Sequence, residues 1–318
     1  MNFLTKSQSF GAVIGIAVML AAFSLIDFNG WWSTRTLSNV VQFTAILGLI
    51  AMGQALVIMS KEIDLSVGSV YGLTGVGFIT LEPALGVPGS SIAALLIAAT
   101  CGLLQGIAIV KGRLPSMIVT LGGLFAFRGL IYVWTGGSVH AFAEDARIHP
   151  VTRMFGGELF GIEAVVFWLI GIGIALNILL WATRFGNRLL ATGGSVDSAE
   201  SRGIRTDRVK IATFVLSALL AGFAGIVTLA DNPQSHVTLG DLLELEAIAA
   251  AVIGGSLLSG GRGSLIGAVM GAFIVVSFRY ELIALGAPSS WFITFVGIVL
   301  IVAVIFNQYL ARRVGHNV

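Results

Sequence analysis

The sequence has 318 residues, of which 56% are hydrophobic and only 11% are charged. A water-soluble domain of this length needs more charge to cover its surface, so this composition excludes an ordinary soluble enzyme or binding domain. The formal net charge of +2 is too small to favour a nucleic-acid partner. The apolar residues lie in long runs, and about 20 of them suffice to cross a bilayer core as a helix. The sequence therefore predicts an all-α, polytopic membrane protein.

Ten apolar segments are predicted to cross the membrane. The first follows Lys6, yet it is longer than the apolar core of a signal peptide and no small-residue cleavage site comes after it, so we interpret it as a retained span. The third and eighth segments are short and rich in glycine. The ten segments cover residues 10–28, 37–60, 66–81, 91–110, 116–135, 162–182, 210–230, 243–258, 264–285 and 290–309.

The placement of lysine and arginine predicts the orientation of these spans. If the N-terminus is cytoplasmic, thirteen of the 18 basic residues fall in inside segments and three in outside segments, while Arg128 and Arg279 lie within spans. Loops that stay in the cytoplasm are the ones enriched in lysine and arginine. Both termini are therefore predicted to be cytoplasmic.

Two hydrophilic loops separate the spans. Residues 136–161 form the predicted outer loop, whose His140 and His149 lack the spacing of metal ligands, and residues 183–209 form the more highly charged inner loop. Neither loop is long enough to be a domain, which predicts a single membrane domain over residues 1–318. Glu244 and Glu246 begin the eighth span, and we interpret them as solvated near the outer face.

A weak internal similarity emerges when the sequence is shifted by 195 residues. Transporters are often built from repeats, with the substrate path between the halves. Chance matching of helices rich in glycine, alanine and valine is the alternative explanation. The matched pairs are Ala55 with Ala250, Val57 with Val252, Ile58 with Ile253, Gly68 with Gly263, Ser69 with Ser264, Gly72 with Gly267 and Phe78 with Phe273.

The sequence EIDLSVGS at residues 62–69 joins two of the apolar runs. Ionisable groups at membrane depth are costly, and they usually line a cavity or pair with another group. Asp64, Ser66 and Ser69 could cap a broken helix beside the translocation path, with the Ser66 hydroxyl offered to free backbone amides. A short cytoplasmic turn capped by Asp64 is the alternative.

Among the polar side chains within predicted spans, which include Asn177, three are further candidates for the path. Arg128 has no acid at helical spacing, so it must reach protein, water or a distant partner, either in a structural pair or along the path. Gln42 and Gln54 carry amides that either hydrogen-bond neighbouring helices or contact the substrate. Together with the residues of the 62–69 segment, these three complete the predicted path or gate.

The chain contains no Walker A sequence, so it is not predicted to hydrolyse ATP or to bind a cofactor itself. The segment LSGGR at residues 258–262 is similar to the signature motif of ABC ATPases, but it joins two apolar runs instead of lying in a nucleotide-binding fold. There its glycines allow a tight turn and close helix packing. No catalytic set of side chains is recognisable within the spans, which argues against an enzyme.

A set of short sequences occurs in order along the chain. It consists of EIDLSVGS at 62–69, KGRLPS at 111–116, VTLG at 119–122, FRGL at 127–130, TGG at 135–137, ATGG at 191–194, GI at 203–204, VK at 209–210, AIAA at 247–250, IGG at 253–255 and LSGGRGS at 258–264. Each piece alone is weak, but the set in this order is specific. It resembles the ribose-type sugar permeases of ATP-binding-cassette (ABC) importers, within the branched-chain amino acid and sugar permease superfamily. The resemblance runs from about residue 37 to the end of the chain.

This resemblance implies a type II-importer-like helical bundle that acts as the membrane channel of an importer. It implies a second permease copy or paralogue, cytoplasmic ATPase subunits that hold ATP and Mg²⁺, and a periplasmic sugar-binding protein. The expected location is the bacterial inner membrane. The resemblance does not specify which sugar is carried, nor whether the permeases form a homodimer or a heterodimer.

The resemblance also places a coupling element in the inner loop at residues 183–209. Members often have an Asn followed by Glu-Ala-Ala there, whereas this chain reads SVDSAE at 195–200. Ser195 is expected to cap a helix of about two turns, with Asp197 in its first turn and Gly203 in the left-handed conformation that ends it. Ala199 is expected to seat against the ATPase. The predicted ATPase-coupling residues are Gly193, Ser195, Asp197, Ala199, Glu200, Arg202 and Gly203.

Two other classes of protein compete with this interpretation. A secondary transporter of a small polar solute agrees with ten spans and a repeat, but it would usually need buried carboxylates along the path, and those here cluster near span ends. A membrane enzyme would need a catalytic constellation that the spans lack.

Overall fold

The computed structural model describes residues 10–315, and Lys6 lies outside these described residues. The described chain is mostly helical, as the long apolar runs predict. Its helices are α1 (Phe10–Ile26), α2 (Phe28–Trp31), α3 (Thr34–Met59), α4 (Val67–Gly112), α5 (Ser116–Thr135), α6 (Glu144–Ile148), α7 (Pro150–Gly156), α8 (Ala164–Ala182), α9 (Arg184–Gly194), α10 (Val196–Ser201), α11 (Thr206–Asp231), α12 (Leu243–Ile253), α13 (Leu265–Ala284) and α14 (Ser289–Gly315).

Four two-residue strands form two small antiparallel ribbons. Strand β1 (His140–Ala141) pairs with β4 (Gln234–Ser235), and β2 (Glu158–Leu159) pairs with β3 (Ile162–Glu163). The first ribbon ties the predicted outer loop to the segment after α11. The second is a hairpin whose turn contains Phe160 and Gly161, both at positive φ.

Six helices of residues 10–315 are long and apolar enough to cross a membrane: α3, α4, α5, α8, α11 and α13. Two shorter apolar helices cover Gly11–Ile26 and Ser290–Ile305. Helix α4 contains both the third and the fourth predicted spans, because Gly86 has non-helical backbone angles between Pro83 and Pro88 and kinks the helix without ending it. The count of ten spans is therefore not reproduced as ten separate long helices.

The chain divides into two compact units, each assembled from separate stretches of sequence. The first unit contains the described parts of Met1–Glu62, Ile172–Ile204 and Leu245–Val318, and the second contains Ile63–Gly171 and Arg205–Glu244. The prediction of one membrane domain over residues 1–318 stays a prediction.

The first unit is built on α3 packed against α13, with α1 also packed against α13. Phe23 of α1 makes an edge contact with Phe278 of α13, with ring centroids 5.1 Å apart. Glycines bring α12 and α13 close together: a Cβ at Gly271 would overlap the Ala250 carbonyl, and one at Gly254 would overlap the backbone of Gly267. Small residues at such crossings are typical of helices that pack within a membrane.

The second unit is built on α4 packed against α11, with α5 beside α4. A Cβ at Gly102 would lie 2.6 Å from the Phe214 carbonyl oxygen, and one at Gly225 would overlap the Tyr71 carbonyl. The opposite face of α5 is apolar and exposed, with Phe125 67% and Val133 83% accessible. An exposed apolar helix face of this extent is what a lipid-facing surface requires.

Candidate translocation and coupling sites

The break between α3 and α4 is held by the Asp64 side chain. Its Oδ1 accepts hydrogen bonds from the Ser66 amide at 2.9 Å and from the Ser66 hydroxyl at 2.7 Å, which is the turn that an aspartate makes with the residue two positions on. Asp64 is only 1% exposed. Burial raises the pKa of its carboxyl above the ordinary value of 3.8, although the two Ser66 hydrogen bonds oppose that shift.

The sequence predicts that the side chains of Ser66 and Ser69 cap the start of α4, and they do not. Ser66 is the N-cap residue, but its side chain accepts no amide there, because the hydroxyl donates to Asp64 and lies 3.1 Å from Gln105 Oε1. Ser69 donates instead to the Leu124 carbonyl of α5 at 2.8 Å. Ser66 therefore contacts the later part of α4, beyond the kink at Gly86, and Ser69 fixes the start of α4 to α5.

The start of α5 anchors the same break. Ser116 Oγ accepts from the Ile63 amide at 3.2 Å, and the Thr120 hydroxyl lies 3.3 Å from the Ile63 carbonyl. Thr120 is fully buried. Buried backbone groups outside a helix need such partners, so the polar side chains of this region satisfy an interrupted backbone at a point where two apolar helices meet.

Arg128 of α5 pairs with Asp241, their charged groups 2.8 Å apart. The same guanidinium donates to the carbonyls of Val237 and Leu239, at 2.9 and 2.7 Å. Arg128 therefore forms a structural pair, which is one of the two roles that the sequence leaves open for it. This pair fixes the segment between β4 and α12 to α5. The Arg128 side chain is 15% exposed and Asp241 is 50% exposed, so the pair is partly accessible to solvent.

The backbone of that segment also touches the first turns of α4. Each of Gly68 and Gly240 has no room for a Cβ, because it would overlap the carbonyl of the other, and a Cβ at Gly72 would overlap the Leu239 carbonyl. Gly240 has a φ of +84°, which favours glycine. The break, the start of α4 and the Arg128-held segment thus form one polar, glycine-lined site within the second unit.

Gln42 and Gln54 lie on α3 in the first unit. Gln54 is fully buried and Gln42 is half-buried. The predicted path residues are therefore divided: Asp64, Ser66, Ser69 and Arg128 meet in the second unit, and the two glutamines are placed on a helix of the first.

The interpretation of Glu244 and Glu246 as solvated is wrong. Both side chains are buried, and Glu246 forms an ion pair with Arg279 of α13. Arg279 also lies over the ring of Phe292, 4.3 Å from its centroid. A buried charge is tolerated when it is paired, and this pair joins α12 to α13 in the first unit.

The predicted coupling helix is α10. The Ser195 hydroxyl accepts from the Ser198 amide at 3.3 Å, and Asp197 lies in the first turn. At the other end, Gly203 has a φ of +79° and donates to the Glu200 carbonyl at 2.8 Å, while the Ile204 amide donates to the Ala199 carbonyl at 3.1 Å. These two bonds with a left-handed glycine constitute a Schellman motif. Both ends of this short helix are therefore fixed as the sequence predicts.

Two of the predicted coupling residues face inward. Ala199 is 2% exposed, so its methyl group packs within the chain and is not available to a partner. Gly193 is also buried, and a Cβ there would overlap the Met59 carbonyl. The exposed residues of the element are instead Asp197, Ser198, Glu200, Ser201 and Arg202.

Sequence reasoning missed Gln105, Asp241 and the contacts of Gly193. Gln105 and Asp241 meet their partners across 39 and 113 residues of sequence, and nothing in a single sequence pairs such positions. The glycine-rich segment 258–264 was a signal for close backbone contact, but it gave no indication of which segment it contacts.

Six helices of the described residues are long and apolar enough to cross a membrane. The chain belongs to the family described as "Branched-chain amino acid transport system / permease component", whose model matches residues 36–304. This confirms the resemblance and identifies the chain as a multi-pass membrane permease.

The chain is similar over its full length to the Autoinducer 2 import system permease protein LsrC of Yersinia pseudotuberculosis serotype O:1b (strain IP 31758). The two are 32% identical over 320 residues, covering 100% of this chain and 90% of the relative. The protein of the same name from Yersinia pestis (strain Pestoides F) matches with the same identity and coverage. No solved structure matches the chain.

Proposed function

We propose that this chain is the membrane-spanning subunit of an ABC importer that carries a sugar across the bacterial inner membrane. The match of the permease family to residues 36–304 carries the proposal. The similarity to permeases named for autoinducer 2 import supports an import direction, and it makes autoinducer 2 a second candidate solute. ATP and Mg²⁺ are held by separate ATPase subunits, and a periplasmic binding protein delivers the solute to a dimer of permeases.

We place ten crossings in the membrane, with both termini in the cytoplasm. The six long helices supply seven, because the kink at Gly86 leaves two parts of α4 that are each long enough to cross. Helices α1, α12 and α14 supply the others. Helix α12 has 11 residues and is about 16 Å long, so it crosses only part of the bilayer.

The break at residues 63–66 and the Arg128-held segment of the second unit form the solute path or its gate in this proposal. Their polar groups are concentrated where apolar helices are interrupted, which is where transporters place their sites. Gln42 and Gln54, on α3 of the first unit, are separate candidates for contact with the solute.

Helix α10 is proposed to receive the movement of the ATPase. Its exposed residues are polar or charged, and both its ends are capped, so it can be pushed as a rigid body. The variant Ser201→Arg adds a large charged side chain to this exposed surface without filling the buried side on which Ala199 lies. We expect it to release the ATPase, or to lower solute-stimulated ATP hydrolysis at least tenfold.

The measurement uses the complete importer in proteoliposomes, with uptake of labelled ribose and labelled autoinducer 2 assayed in parallel. Ser138→Arg, on an exposed residue of the predicted outer loop, is the matched control and should leave ATPase binding unchanged. Uptake that continues without ATP and follows an ion gradient would show a secondary transporter instead. Uptake of autoinducer 2 but not of ribose would correct the solute.

A further inference from the structure

The glycine-rich segment 258–263 is explained by neither catalysis nor nucleotide binding, and its contacts give it a different role. Gly260 and Gly261 have φ of +82° and +75°, so this turn has a backbone that favours glycine at two consecutive positions. The Gly260 amide donates to the Leu257 carbonyl at 2.9 Å, and the Leu257 amide donates to the Arg262 carbonyl at 3.1 Å. The segment is therefore a closed, well-defined turn between α12 and α13.

This turn caps the end of α3. The last carbonyls of a helix have no partner inside it. The Gly261 amide donates to one of them, the Met59 carbonyl, at 2.9 Å. The Glu62 amide donates to the Val57 carbonyl at 3.2 Å, and the Lys61 amide donates to the Ile58 carbonyl at 2.9 Å. These bonds satisfy further carbonyls at the end of the helix.

The end of α9 fits between these two backbones. A Cβ at Gly193 would overlap the Met59 carbonyl and lie 2.5 Å from the Gly261 amide nitrogen. In the other direction, a Cβ at Gly260 would lie 2.5 Å from the Gly193 carbonyl oxygen, and one at Gly261 would lie 2.8 Å from Gly194 Cα. Three backbone segments of the first unit therefore touch with no side chain between them, at the residues directly before α10.

We infer that Gly193, Gly260 and Gly261 form a backbone clamp that transmits displacement of α10 to α3 and α13. This inference rests on the proposed coupling role of α10. Side chains at a contact can rotate and absorb a movement, whereas two backbones in direct contact cannot. Ser195 begins α10 two residues after Gly193, so a push on α10 reaches the end of α3 through the clamp. The three glycines are positioning residues and make no contact with the solute.

The first test uses the wild-type importer and needs no variant. Hydrogen–deuterium exchange is compared before and after trapping with Mg-ATP and vanadate. The clamp predicts that peptides covering 191–203 and 257–263 change their protection together. A change in 191–203 with 257–263 unchanged would overturn it.

The second test measures the number of ATP molecules hydrolysed per solute transported. Gly193→Ala and Gly260→Ala should each raise this ratio severalfold, and the double variant should raise it no further, because both disrupt one contact. Gly194→Ala is the matched control, since apart from its chain neighbours and the backbone of its own helix nothing lies within 4 Å of a Cβ at this position. An unchanged ratio in folded Gly193→Ala contradicts the clamp, and so does an additive double variant.

The ratio of ATP hydrolysed to solute transported distinguishes a failure of the clamp from a failure of the proposed importer function. If the complete wild-type importer hydrolyses no ATP in response to solute, the proposed function fails. If the wild type is coupled and the glycine variants only express poorly, with a normal ratio in their folded fraction, the glycines are purely structural and the clamp fails. If neither variant folds, the exchange measurement on the wild type decides.

Discussion

The Asp64 carboxyl is buried, and its two hydrogen bonds from Ser66 are local to the turn. Since burial raises its pKa, the protonated form is favoured in the folded state. This residue therefore contributes stability below its unfolded pKa, near 3.8, and loses that contribution as the pH rises through the folded pKa. We expect Asp64→Asn, which keeps an oxygen for the Ser66 amide, to melt above the wild type at pH 7, with the difference shrinking toward pH 4.

Thermal unfolding of the purified protein across this pH range is the measurement. Asp64→Ala is the contrasting variant, because it leaves the buried Ser66 amide without its acceptor and should destabilise the fold by about 1–3 kcal/mol. Transport by folded Asp64→Asn then tests the charge alone. If Asp64→Asn melts below the wild type at neutral pH, the carboxylate is stabilised in its charged form and the argument from burial is wrong.

At the scale of one element, α3 and α10 end in the same way, with different residues. Each ends in a pair of bonds around a left-handed residue, which is Gly203 after α10 and Lys61, at a φ of +66°, after α3. A residue with a Cβ in this conformation costs about 1–2 kcal/mol. The lysine after α3 lies against the 257–263 turn, since a Cβ at Gly260 would lie 2.7 Å from Lys61 Cβ. Helix α10 has only six residues and depends on its caps.

Gly203→Ala should therefore loosen α10 locally. Apart from its own chain neighbours, nothing lies within 4 Å of a Cβ at this position, so the cost is conformational and not a clash with another segment. We expect amide exchange in residues 196–204 to accelerate about tenfold, since about 1.4 kcal/mol corresponds to a factor of ten. Gly194→Ala is the control, because Gly194 does not have positive φ and its Cβ would also meet open space. Equal exchange in the two variants would show that the left-handed cap does not hold the helix.

At the scale of the whole molecule, the orientation of the chain is a prediction from basic residues, and labelling can test it. Cysteine placed at Ser138 should react with an impermeant thiol reagent added outside intact cells, whereas cysteine at Ser198 should react only after permeabilisation. Both positions are exposed, so accessibility within the fold does not bias the comparison. The native Cys101 is buried, and Cys101→Ala provides the background. Labelling of Ser198→Cys from outside would reverse the orientation and remove α10 from the ATPase side.

The sequence predicted the local features of the site well. The cap at Ser195 and the left-handed Gly203 are confirmed, because they depend on residues within one turn of each other. The family resemblance is confirmed by the match over residues 36–304. The outcomes that differed at Ser69, Ala199, Glu244 and Glu246 depend on how the chain packs around each side chain, whereas the outcome at Ser66 differed because its hydroxyl donates to Asp64, two residues away.

The sequence by itself determined that this is a helical membrane permease, because hydrophobic run length, basic-residue placement and ordered motifs are properties of the chain read in one dimension. Only the tertiary structure decided that Arg128 pairs with Asp241, that Ala199 faces inward and that Gly193 lies against Met59 and Gly261. Each of these depends on contacts between segments far apart in the chain, where van der Waals packing and the need to satisfy buried polar groups select the partner. A membrane-spanning helix is apolar on all its faces, so the hydrophobic pattern alone does not specify which face contacts protein and which contacts lipid.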